Sequence, residues 1–139
     1  MLTNQKEIIM KKSNKSIIET ILLLLTLLLC IFKNYVWTPF SNGPGNIIIR
    51  KFNFISTIPI GYGIFFPILV VIITLILLLL QLLQMFNIIK INRKTKLILA
   101  GLEIVFLWLT VIIGMQIFNI GLVYISILLV SYLVINFIK

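Results

Sequence analysis

From Leu97 to Ile138 the chain runs for 42 residues with a single charged side chain, Glu103. As one α-helix this stretch would be about 63 Å long, at ~1.5 Å per residue. The hydrocarbon core of a bilayer is only roughly 30 Å thick. A segment so apolar and so long must therefore cross and fold back. Gly114, Gln116, Asn119 and Gly121 interrupt the apolar pattern and mark the reversal, dividing the stretch into spans at 97–117 and 120–138. Two further apolar runs precede it, at 17–37 and 60–89. Each reaches the ~20 residues that one crossing requires. The run 60–89 exceeds that length, so a tilt or a bend at Pro67 is expected.

Composition agrees. Of the 139 residues 61% are hydrophobic, and the mean hydropathy is +1.22. Soluble domains hold roughly 45–50% apolar residues, and a small one buries only about two thirds of its chain surface. Lipid must cover the remainder. The fold class expected is all-α, an integral membrane protein forming a four-transmembrane-helix bundle with a single membrane domain.

Charge sets the expected orientation. There are 12 Lys and Arg against three acidic residues, no His, and a net charge of +9. With the N-terminus inside, the cytoplasmic side holds Lys6, Lys11, Lys12 and Lys15 in the tail 1–16. It also holds Lys90, Arg93, Lys94 and Lys96 in the basic loop 90–96, and Lys139. Only Lys33, Arg50 and Lys51 fall outside. Short loops rich in Lys and Arg stay cytoplasmic, so both termini are expected inside. These charges flank the apolar runs, which suits contact with anionic lipid headgroups. They form no long cluster interleaved with aromatics, so nucleic acid is not an expected partner. One Ala amid abundant Ile, Leu, Asn and Lys suits an AT-rich genome, and a bacterial plasma membrane is the expected location. The first run reads as a retained anchor: no A-x-A-like site follows it, and Leu29 before Cys30 is too large for a lipoprotein box. Cys30, the one cysteine, excludes an internal disulfide and reads as a small hydrophobe.

Polar side chains inside a bilayer are costly and turn toward the bundle interior. In this chain they recur at seven-residue intervals, one side of a helix. Glu19, Thr26 and Lys33 align in the first span, with Cys30 beside them. Pro67, Thr74 and Gln81 align in the second, joined by Gln84. Glu103, Thr110 and Gly114 align in the third, and Gly121, Tyr124 and Ser131 in the fourth. Packing alone accounts for such stripes, and a sparse polar seam is the alternative. Ser16-Ile17-Ile18-Glu19 fits a capping box at a helix start, which gives Glu19 a structural role. Glu103 has no such role. It lies about 9 Å into the third span and needs a partner. Gln81 and Gln84 approach the same depth, and Lys94 or Lys96 could reach it from the loop. Glu103, Gln81 and Gln84 are therefore the intramembrane candidates for an ion, proton or headgroup contact. The alternative for Glu103 is a structural pair with a loop lysine.

Residues 38–59 form the one sizeable outer loop. Asn42-Gly43-Pro44-Gly45 is a turn signal between segments rich in β-branched and aromatic residues, which allows a short β-hairpin. Trp37, Phe40, Phe52, Phe54 and Tyr62 suit the interfacial aromatic belt, with Arg50 and Lys51 against lipid phosphates. Trp37, Phe40, Arg50 and Lys51 are the outer contact candidates.

Without His or Asp, and with one Cys, a His-based triad, a dithiol pair and His- or Cys-based zinc sites cannot be assembled. No P-loop or dinucleotide fingerprint occurs, and Gly61 and Gly63 form only a lone G-x-G. No metal or cofactor is expected, nor any enzymatic activity of the chain alone. The expected function is contact with protein or lipid, as an accessory subunit or an immunity-type membrane protein, with a protein partner or a homo-oligomer. The alternative is a component of an ion or small-molecule transporter or channel using the inner-leaflet site around Glu103. A membrane enzyme subunit completed by a partner is the third reading.

Overall fold

The computed structural model describes residues 2–62, 64–113 and 116–138, with side chains from residue 14 onward except at 61 and 62. Gly63, Gly114 and Lys139, and the side chains of Lys6, Lys11 and Lys12, lie outside this description. The described residues fold as four α-helices and a two-stranded antiparallel sheet. Helix α1 spans Leu2–Phe32, strand β1 Val36–Ser41, strand β2 Ile47–Phe52, and helix α2 Phe66–Met85. Helix α3 spans Arg93–Ile112 and helix α4 Ile120–Phe137. Each helix contains a segment long and apolar enough to cross a membrane: Asn14–Phe32, Phe66–Met85, Arg93–Ile112 and Ile120–Phe137.

The helices pack in a ring in chain order, with α1 closing against α4. The short α2–α3 and α3–α4 connections make those neighbours antiparallel, whereas the hairpin lies within the longer α1–α2 connection. Large apolar side chains such as Leu24, Leu75, Ile98 and Ile127 stay exposed on the outer surface of all four helices. In a water-soluble bundle that surface would be polar.

Helix boundaries follow backbone chemistry more than hydropathy. Helix α1 continues unbroken for 31 residues, about 46 Å. Ser16 and Glu19 thus lie in its middle, and the capping-box reading is overturned, because no free helix-start N–H groups exist there. Helix α2 occupies only part of the apolar run 60–89. A 3₁₀ turn at Pro59–Tyr62 precedes it, and Pro67 falls in its first turn, where a missing N–H costs nothing. Its end is a Schellman motif: Asn87 takes a positive φ of 58°, Asn87 N–H donates to Gln84 O, and Ile88 N–H donates to Leu83 O. Asn92 caps α3 by accepting from Lys94 N at 3.1 Å. Asn119 caps α4 by accepting from Gly121 N at 3.0 Å.

The hairpin seats on one end of the bundle. Its register pairs Val36 with Phe52 and Ser41 with Ile47, and Gly43 and Gly45 supply the positive φ of the turn. Val36, Thr38 and Phe54 are buried. Ile117 N–H donates to Trp37 O at 2.7 Å, and Phe54 N–H donates to Cys30 O at 3.1 Å. The Tyr35 carbonyl accepts from Gln116 at 3.0 Å and from Asn119 at 2.7 Å. The Tyr35 ring lies against Gly121, where an added Cβ would overlap it.

One stripe is corrected. The inner face of α4 carries Gly121, as expected, with Leu122, Ile125, Leu129, Tyr132 and Asn136. Tyr124 is exposed, and Ser131 turns its hydroxyl onto its own helix at Ile127 O, 2.7 Å away. One residue of offset is about 100° of helix, and Tyr132 and Asn136 hold the inward positions instead. Lys33 is likewise exposed.

Candidate functional site

The end of the bundle opposite the hairpin gathers polar side chains from all four helices. Lys96, in the second turn of α3, is buried. Its Nζ donates to Glu19 Oε2 on α1 at 3.0 Å and to Gln81 Oε1 on α2 at 2.5 Å. The Gln81 amide donates to Ser16 Oγ at 3.0 Å and reaches Ser16 O at 3.3 Å. Helices α1 and α3 sit diagonally in the ring, so a long lysine stem is needed to join them. A buried ion pair persists only when its geometry and remaining hydrogen bonds are good, and Gln81 supplies that bond here. Asn136 of α4 is buried beside them.

A cleft of about 560 Å³ opens onto this network, walled by Lys15, Glu19, Gln84, Arg93, Lys96 and Asn136 among others. Arg93 donates to Phe137 O, and Lys15 donates to Ile138 O at 3.2 Å. Both cations therefore sit on the carbonyl end of α4, where positive charge is favoured. Gln84 Oε1 and Arg93 Nε are buried with no hydrogen-bond partner among the described residues.

Glu103 is elsewhere. It lies two turns further along α3, fully buried, and is hydrogen-bonded to Thr74 of α2. Its other oxygen, Oε2, has no partner among the described residues. Thr74 also donates to Val70 O at 2.8 Å. A hydroxyl has one proton. That proton is shared between Val70 O and Glu103 Oε1. Of the three intramembrane candidates, Gln81 thus joins Lys96 and Glu19, Gln84 lines the cleft, and Glu103 belongs to neither.

The hairpin holds the outer candidates. Lys51 Nζ stands 4.2 Å from the Trp37 ring centre, its cross-strand neighbour, and Arg50 lies 5.5 Å over Phe40. Trp37 donates to Asn34 O at 2.9 Å, and Phe40 meets Phe52 edge-on at 5.8 Å. Ile47, Ile48 and Ile49 are exposed along β2.

Sequence reasoning passed over Lys96, Glu19 and Asn136 as a group. The available signal was that Lys96 opens the third span at the inner depth where Glu19 opens the first. Reading Lys96 as a topology charge or a partner for Glu103, and Glu19 as a cap, concealed the pair. No family model, curated protein or solved structure matches the chain.

Proposed function

We propose that the chain is a non-enzymatic, multi-pass protein of a bacterial plasma membrane, with both termini and the Lys96 end cytoplasmic, acting through contacts with lipid and with a protein partner. An accessory or immunity-type role fits this reading. The observation that carries it is the division of the molecule into two chemically distinct ends. One is a basic cleft held open by a buried network, and the other a hairpin that stacks cations on aromatics beside three exposed isoleucines. Trp and Arg are enriched at contact surfaces, and a contiguous exposed apolar patch marks an interaction site. A photo-crosslinking residue placed at Ile48, in membranes of the native host, is expected to yield one discrete protein adduct. Adducts with lipid alone would remove the partner from the proposal.

A transport role is the second reading, favoured by one observation: the buried Glu103, one oxygen of which has no partner among the described residues. Purified chain in liposomes would then show ion or proton flux that Glu103→Gln abolishes. Flux of that kind would displace the contact reading.

A further inference from the structure

The cleft at the Lys96 end has more positive charge than its own carboxylate can balance. Lys15, Arg93 and Lys96 face it together with one acid, Glu19, and that acid is committed to Lys96. The carbonyls of Phe137 and Ile138 accept hydrogen bonds from Arg93 and Lys15 but carry no formal charge. No other ion pair forms among the described residues, so Lys15 and Arg93 at the wall have no carboxylate partner among them. The volume, about 560 Å³, falls within the roughly 300–1,000 Å³ of ligand sites. Two buried polar atoms beside it lack partners among the described residues, a donor at Arg93 Nε and an acceptor at Gln84 Oε1. Orphaned buried groups call for an explanation such as an absent ligand. The complement of an arginine N–H, a lysine and an amide carbonyl is an anion that also carries a hydroxyl.

We propose that this cleft binds a hydroxylated phosphate ester, with the phosphate on Arg93 and Lys15 and a hydroxyl toward Gln84. The inference rests on the reading of the chain as a membrane protein with this end at headgroup depth. There, an anionic phospholipid with a polyol headgroup is one source of the ligand and a soluble polyol phosphate the other. Arginine favours phosphate through charge-assisted hydrogen bonds, and Lys96 is not free to join because Glu19 and Gln81 hold it.

The test uses full-length chain in neutral detergent. Its thermal unfolding is followed with added phosphatidylglycerol, phosphatidylcholine or glycerol 1-phosphate. Phosphatidylglycerol is expected to raise the midpoint and phosphatidylcholine to leave it unchanged. A rise with glycerol 1-phosphate of equal size identifies the soluble source, and its absence identifies the lipid. The pair Lys15→Gln with Arg93→Gln is expected to weaken the response about tenfold or more. The charge-matched pair Lys90→Gln with Lys94→Gln, both exposed and off the cleft wall, is expected to retain it. Equal loss in the two pairs, or an equal rise with phosphatidylcholine, overturns the site in favour of diffuse surface attraction. Lys15 and Arg93 also secure the end of α4, so native mass spectrometry of the wild-type chain gives a second readout. One retained phosphatidylglycerol is expected, and a graded distribution matching phosphatidylcholine counts against the site. Alkaline carbonate extraction separates the two levels: a chain that stays in the membrane but shows no lipid response loses the site and keeps the membrane reading.

Discussion

Lys96 and Glu103 are both charged-type side chains buried on α3, and their surroundings give them opposite sensitivities. Lys96 is held by a carboxylate and an amide, so removing one partner strands the other in low dielectric. Lys96→Met is expected to destabilise the bundle by about 3–5 kcal/mol, because Glu19 is left unpaired. Adding Glu19→Gln should recover most of that loss, as paired removal of a buried ion pair is often close to neutral. A double-mutant cycle on detergent unfolding midpoints checks this. Additive losses would show that the pair contributes no coupling. Glu103 has only the hydroxyl of Thr74 and no cation in ion-pair range among the described residues. Glu103→Gln keeps a donor for Thr74 and should change stability by less than about 1 kcal/mol. Thr74→Val removes the sole partner and should cost about 1–3 kcal/mol, the desolvation of a buried unpaired group. If the Gln variant unfolds while the Val variant does not, the Thr74 contact is not what holds Glu103.

Element boundaries show where local chemistry overrides hydropathy. The run 60–89 is apolar throughout, yet α2 stops at Met85 because Asn87 adopts a left-handed backbone and Ile88 closes the Schellman bond. Asn87→Gly should therefore be neutral or slightly stabilising. Asn87→Val should cost about 1–2 kcal/mol, since β-branched residues resist that conformation. Equal midpoints for the two would remove the turn as a determinant. The number of helices was legible because a 42-residue apolar stretch has no other solution in a 30 Å core. The hairpin was legible because Gly43, Pro44 and Gly45 separate two β-prone segments. Three things were not. The polar residues before Asn14 hide the early start of α1, since hydropathy reports lipid affinity and not helicity. Ser16-x-x-Glu19 has the form of a cap whatever precedes it, and only the continuous α1 backbone rules the cap out. The inner face of α4 had almost no contrast to read: nearly every position is apolar, so the choice between Tyr124 with Ser131 and Tyr132 with Asn136 depended on packing. Gly121 belongs with that packing. Its missing Cβ admits the Tyr35 ring, whose backbone carbonyl fixes Gln116 and Asn119. Gly121→Leu should push the ring out and cost about 1–3 kcal/mol, read as a lower unfolding midpoint.

At the scale of the whole molecule, the two ends differ in what they can do only if they face different compartments. Nine of the 12 basic residues belong to the tail, the α2–α3 connection with the start of α3, and the C-terminal residue, against three at the hairpin end. Such asymmetry in short flanks directs insertion with the basic side cytoplasmic. Four helices are long and apolar enough to cross a membrane, and the proposed arrangement, in which each crosses once, puts the N- and C-terminal ends on one side. Single cysteines in a Cys30→Ala background test this directly, because Asn14, Asn42 and Ile88 are all exposed. A membrane-impermeant maleimide on intact cells is expected to label Asn42→Cys and to spare Asn14→Cys and Ile88→Cys until the membrane is permeabilised. Labelling of Ile88→Cys from outside, with Asn42→Cys protected, would invert the molecule. The cleft of Lys15 and Arg93 would then face the outer leaflet, and the isoleucine-rich strand β2 the cytoplasm. A mixture of both patterns would mean that nine charges against three do not fix the insertion. The cause would then have to lie in the hairpin, whose Arg50 and Lys51 are the charges held back on the opposite side.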